Sequence, residues 1–262
     1  MTVRASLIRG LVVGLLAGAV GFVFARSLGE PQVRNAIHFE SFIDDQINHL
    51  APTAELVTRP IQANYGLATG TLVFGVAIGG IFALVFAVAN GRIGDLSARA
   101  TALVIAALGL VSVYAVPNLK YPANPPSVGS PDTLGRRTWL YLLMIVVSIV
   151  FMIAAVIVQQ QLLDRFGGWN ATILVAAAYL AVMAICYVAL PGVNEVPQKA
   201  IPGVVRAVTN DGVTFPPQVL WRFRVASFGV QALVWLTIGL GFGAWTDHKI
   251  KSLGYTSVSG HR

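Results

Sequence analysis

His38, Asp45 and His49 are the side chains of this 262-residue sequence best suited by type to hold a divalent metal ion, because imidazole and carboxylate both suit first-row divalent ions. At about 100° per residue, Phe39, Ile43, Ile47 and Leu50 share one helical face. His38, Asp45 and His49 line up on roughly the opposite face. The pattern predicts a short amphipathic helix lying at the membrane surface or over a helix bundle. Asp45 and His49 stand at i and i+4 and can grip one ion together. His38 lies about 16 Å along the axis from His49 and cannot share that ion. Two ligands are too few for a tight site, so further ligands must come from elsewhere. The plainer reading is a solvated polar face.

Other candidates are sparser. Cys186 and Met183, at i and i+3, present soft sulfur suited to a copper(I)-like ion, although buried sulfur side chains are more often packing residues. Gln231 is the strongly polar side chain well inside the last apolar stretch. It is expected either to hydrogen-bond across helices or to line a path. Lys120, Tyr121, Asn124, Arg136 and Arg137 surround a turn carrying Pro117, Pro122, Pro125 and Pro126. Prolines forbid regular helix and stiffen such a mouth. The arginines there either anchor to headgroups or hold a partner or a carboxylate.

Several chemistries are excluded by absence. The sequence has no Gly-Lys pair, hence no P-loop of its own for ATP hydrolysis, and no H-E-x-x-H or G-x-S-x-G. The apolar stretches hold no carboxylates of the kind that build proton relays. Asp45 and His49 are the one acid–base pair, and no nucleophile stands near them in the sequence. An enzyme is therefore not expected, and neither is a tightly bound cofactor.

The elements that must carry these residues are apolar. Hydrophobic residues make up 56% of the chain and charged residues 11%, with mean hydropathy +0.72, against about 25% charged in an ordinary soluble domain. The single cysteine excludes an intrachain disulfide. A net charge of +7 without an arginine-rich arm or basic-aromatic platform suits lipid headgroups rather than nucleic acid.

Crossing a bilayer core takes about 20 apolar residues. Six stretches approach this: 7–24, 67–89, 101–116, 139–158, 172–190 and 225–244. The expected fold is an all-α polytopic bundle forming a single transmembrane domain. The third stretch is the shortest and ends at Pro117, so it spans only by continuing irregularly. Arg4 and Arg9 before the first apolar run, with Val23, Phe24 and Ala25 beyond it, have the pattern of a signal peptide. The run is long, and an uncleaved helix is the expectation.

Three long connections, 25–66, 117–138 and 191–224, then share one side of the membrane. Arg4, Arg9, Arg92, Arg99, Arg165, Lys249, Lys251 and Arg262 mark the other side. Basic residues are denser there because its segments are shorter, which favours cytoplasmic termini in a bacterial plasma membrane. Gly10, Gly14 and Gly18 recur every four residues. Gly66 and Gly70, then Gly75 and Gly79, repeat that spacing. Small residues so spaced let helix backbones approach closely in lipid, either within the chain or against a partner's helix.

Two segments carry a resemblance. Lys120 to Pro126 followed by Gly135, Arg136, Arg137 and Thr138 is similar to a loop signature of the CbtA-type probable cobalt transporter subunits. Phe215 to Ser227, including Trp221, Arg222, Phe223 and Arg224 and followed by Gln231, resembles that family's approach to its last helix. The likeness extends to the glycine-rich opening helices and the overall length. It implies a permease-like subunit for cobalt uptake, with a transported cobalt ion and a small one-helix, histidine-bearing companion. Family members are usually described with five spans, whereas six stretches are counted here. A membrane scaffold that moves no ion is the alternative.

Overall fold

Helices run on through Pro31 and Pro117 by way of π-helical turns. The computed structural model describes residues 2–46, 56–126, 128–129, 131–193 and 215–252, with backbone alone for 44–46 and 131. Helix α1 (Val3–Phe24) passes through a π turn, Ala25–Gly29, into α2 (Glu30–Gln46). Helix α5 (Ala98–Gly109) passes through another, Leu110–Ala115, into α6 (Val116–Lys120). A helical proline clashes with the carbonyl four residues earlier. For Pro31 that residue is Ser27, for Pro117 it is Val113, and both lie inside the π turns, whose wider pitch relieves the clash. The connection 25–66 is therefore largely helical. The amphipathic segment is not a separate short helix but the far end of the first one. The third apolar stretch likewise runs past Pro117 to Lys120.

A third π turn, Gln62–Gly66, joins the single-turn α3 (Arg59–Ile61) to α4 (Leu67–Ala89). All three π turns sit where spans meet the long connections, here termed the loop side. The N-terminus and the turn at 90–97 occupy the opposite, terminal side. Arg26 Nε donates to Asn64 Oδ1 at 2.9 Å and Arg59 pairs with Glu30, fastening the loop-side ends of α1 and α4 together.

Helices α1, α4, α5 and α8 (Pro217–Ser252) form the bundle. Glycine sets its tightest contact. A Cβ added to Gly18 would lie 2.6 Å from the Thr71 carbonyl oxygen, and one on Gly79 would lie 2.7 Å from Gly14 Cα. Gly10 and Gly75 are equally close to the opposing backbone. Gly66 and Gly70 stand away from this crossing. Below the glycines, Phe82 and Phe86 of α4 meet Phe242 of α8 edge to face, with ring centroids 5.4 and 4.9 Å apart. Val13, Ala17, Ala102, Ile105, Val234 and Ile238 complete this core.

Helix α7 (Leu134–Ala189) has 56 residues, about 84 Å of helix if straight. It is not straight. Gly167 takes φ 73° and ψ 163°, a region open essentially to glycine alone. The chain reverses there into two arms, 134–166 and 168–189. Ser148 on the first arm shares a 2.7 Å hydrogen bond with Tyr179 on the second. Leu140 and Met144 pack with Tyr179 and Met183 around it. Among the described residues five runs have the length and apolar character to cross a membrane, and this hairpin holds two of the six stretches read from the sequence. Exposed Tyr65, Trp139 and Trp221 at the loop side, with Trp169 and Trp245 at the terminal side, are placed like the aromatic belts of membrane proteins.

Candidate functional site at the loop-side mouth

The hairpin joins the bundle mainly through residues 110–120, and the proline-rich turn closes over that junction. Four side chains hold the turn in place. Lys120 Nζ donates to the Tyr187 carbonyl at 2.6 Å, satisfying one of the orphan carbonyls at a helix C-terminus, where a positive charge is also favoured. The Tyr121 hydroxyl donates to the Pro191 carbonyl at 2.9 Å. Burial pushes that hydroxyl above its ordinary pKa, and the nearby Arg136 charge partly offsets the effect. Asn118 Oδ1 accepts from the Ala123 backbone N–H at 3.1 Å. From α8, Arg224 donates to the Ala123 carbonyl at 3.3 Å and to Asn124 Oδ1 at 2.8 Å. The Tyr187 hydroxyl, in turn, donates to the Val116 carbonyl.

Beneath the turn lies a cavity of about 730 Å³ between α6 and the first arm of α7. Tyr114, Asn118, Tyr121, Asn124, Arg137 and Tyr141 supply most of its polar wall. Tyr114 is buried and its hydroxyl has no hydrogen-bond partner among the described residues. Its ring leans on Phe228 of α8 at 5.9 Å. Arg137 lies flat on Gly129, where a Cβ would come within 2.6 Å of the guanidinium carbon.

The residues picked out by sequence thus fall into separate groups. Lys120, Tyr121, Asn124 and Arg137 meet at the mouth; Arg136 is exposed beside it. Gln231 is half-buried outside the cavity wall, on the face of α8 that carries Phe228 and Trp235. Met183 is buried between the arms of the hairpin and Cys186 packs beside it. His38 is exposed on α2. Its neighbour Phe39 meets Phe215 at 5.2 Å, in a cluster with Val128 of the cavity wall, so α2 flanks the mouth. Asp45 lies in the last turn of α2, with backbone alone described, and His49 lies outside the described residues. Among the described residues no three His, Cys, Asp or Glu side chains stand close enough to hold a metal ion.

Sequence reasoning passed over Tyr114, Asn118 and Tyr141. The signal existed: Tyr114, Asn118 and Tyr121 follow at i, i+4 and i+7, one face of a helix, but Pro117 in their midst argued against a helix there. The tether, Arg224, stood in the sequence as part of the segment resembling the family's approach to its last helix, without this role.

Uncharged helices of membrane length, crossed on small residues and ringed by aromatics, define a polytopic integral membrane protein whose polar features gather on one side. Residues 3–247 match the family described as probable cobalt transporter subunit (CbtA), and the chain belongs to that family. No curated protein and no solved structure matches it.

Proposed function

We propose that this chain is the permease-like subunit for cobalt uptake, seated in a bacterial plasma membrane with both termini cytoplasmic and energised by other components. The observation that carries this reading is the family match over 3–247, on a chain whose spans offer no three-ligand group among the described residues. A subunit so poor in ligands needs a partner that supplies them, and a small one-helix, histidine-bearing membrane protein fits that need. Asp45 and His49 would help collect the ion, with His38 too far along the helix to share it, and Gln231 would stand along or beside the path. Cells lacking the protein are expected to take up less radiolabelled cobalt at limiting concentration. Unchanged uptake would overturn the proposal.

The same shortage of ligands favours a second reading, a scaffold subunit that moves no ion. Gly10, Gly14, Gly18, Gly75 and Gly79 are spent inside the bundle, so such a scaffold would dock its partner through the outer face of the α7 hairpin. Co-purification of a stoichiometric partner, with metal flux at background in proteoliposomes holding both, would select it.

A further inference from the structure

The mouth cavity has a largely apolar wall whose polar side chains are rich in donors. Asn118 and Asn124 have already committed their amide oxygens, to Ala123 N–H and to Arg224. Each therefore has its NH₂ group left to offer. Arg137 can only donate. The Tyr114 hydroxyl is buried without a partner among the described residues, a state that is unfavourable unless a ligand or water relieves it. Among the described residues no carboxylate, imidazole or thiol stands in the wall. Asp132, the acidic residue of the adjoining turn, is exposed and outside it. Lys120, Arg136 and Arg224 add positive charge around the rim. Such a wall repels a bare divalent cation, which needs acceptor ligands, and it attracts an anion rich in acceptor oxygens. At about 730 Å³ the space lies within the roughly 300–1,000 Å³ usual for small-molecule sites.

We propose that this cavity binds a small carboxylate-bearing chelate, so that metal enters the cavity as an anionic complex rather than as an aqua ion. The proposal rests on the uptake reading for the metal but not for the carboxylate, and the test separates the two. Full-length protein in nanodiscs is titrated calorimetrically with citrate, with cobalt(II) citrate and with cobalt(II) chloride. Both citrate forms are expected to bind the cavity, and the chloride is expected to show no binding that depends on Tyr114. Tyr114→Phe should weaken citrate about tenfold or more, the loss of one hydrogen bond to a charged group. Asn118→Asp keeps the acceptor used by Ala123 but adds negative charge, and should weaken citrate further. Unchanged thermal unfolding of both variants would tie these losses to the cavity. Absent citrate binding, citrate binding indifferent to both variants, or tight binding of cobalt chloride that Tyr114→Phe abolishes would each overturn the proposal. Should cobalt uptake survive deletion of the protein, the uptake reading falls while the citrate isotherm still decides the cavity.

Discussion

Arg224 and Asn124, 100 residues apart in the chain, are joined by a 2.8 Å hydrogen bond from guanidinium to amide oxygen. The contact ties the start of the last helix to the proline-rich turn. It also fixes which way the Asn124 amide points, and hence that its donor is left over for the cavity.

Arg224→Gln should loosen this turn. Hydrogen bonds to charged groups contribute roughly 1.5–3 kcal/mol, and Arg224 makes two that converge on one turn. Thermal unfolding in detergent, followed by tryptophan fluorescence, should show a clear drop in Tm. Arg224→Lys should recover only part of it, because a point charge cannot reproduce the planar fork. Full recovery with lysine would show that charge alone suffices.

Glycine substitutions should split into two classes. Gly14→Ala and Gly79→Ala force a Cβ into opposing backbone and should cost about 1–3 kcal/mol or more, as overpacking does. Gly70→Ala meets nothing within 4 Å and should be neutral or stabilising by up to about 1 kcal/mol, since alanine favours helix over glycine. Equal effects at positions 14 and 70 would refute the α1–α4 crossing.

Ser148 and Tyr179 offer a test of the hairpin. A double-mutant cycle with Ser148→Ala and Tyr179→Phe should give a coupling energy of about 0.6–1.7 kcal/mol, the range found for hydrogen bonds between membrane helices. A coupling of zero would mean that the two arms do not pack face to face.

Gly167 makes the reversal, so Gly167→Val should be strained by roughly 1–3 kcal/mol. The fold also fixes sidedness. In a Cys186→Ser background, single cysteines at Gly94 and Gly168 should react with an impermeant thiol reagent from the same face of the membrane, and one at Ala123 from the other. Labelling of positions 94 and 168 from opposite faces would mean that the helix 134–189 does not fold back.

Much of the architecture was legible because lipid imposes a simple rule: a segment of membrane length with no charge must be a helix. The stretches 67–89, 139–158 and 225–244 fall within observed helices, and 172–190 overruns its helix by one residue. The boundaries that failed were the first, where helix runs on past Phe24 and through Pro31, and the third, where it runs on past Pro117. One-dimensional reasoning treats a proline as a stop, yet a π turn four residues upstream lets the helix continue, and no residue pattern announces that turn.

The site was less legible, since its members come from α6, the first arm of α7 and α8 and meet only after folding. Composition and spacing by themselves determined that the chain lives in lipid, that its helices approach on small residues, and that basic side chains crowd a proline-rich turn. Only the tertiary structure decided that Lys120 and Arg224 donate to carbonyl and amide oxygens and that the Asn118 and Asn124 amide oxygens are already taken, so that the polar part of the cavity wall is rich in donors. The physical reason is that hydrogen-bond commitment belongs to pairs of residues. A sequence shows what Asn124 can offer, but only the arrival of Arg224 settles what it has left.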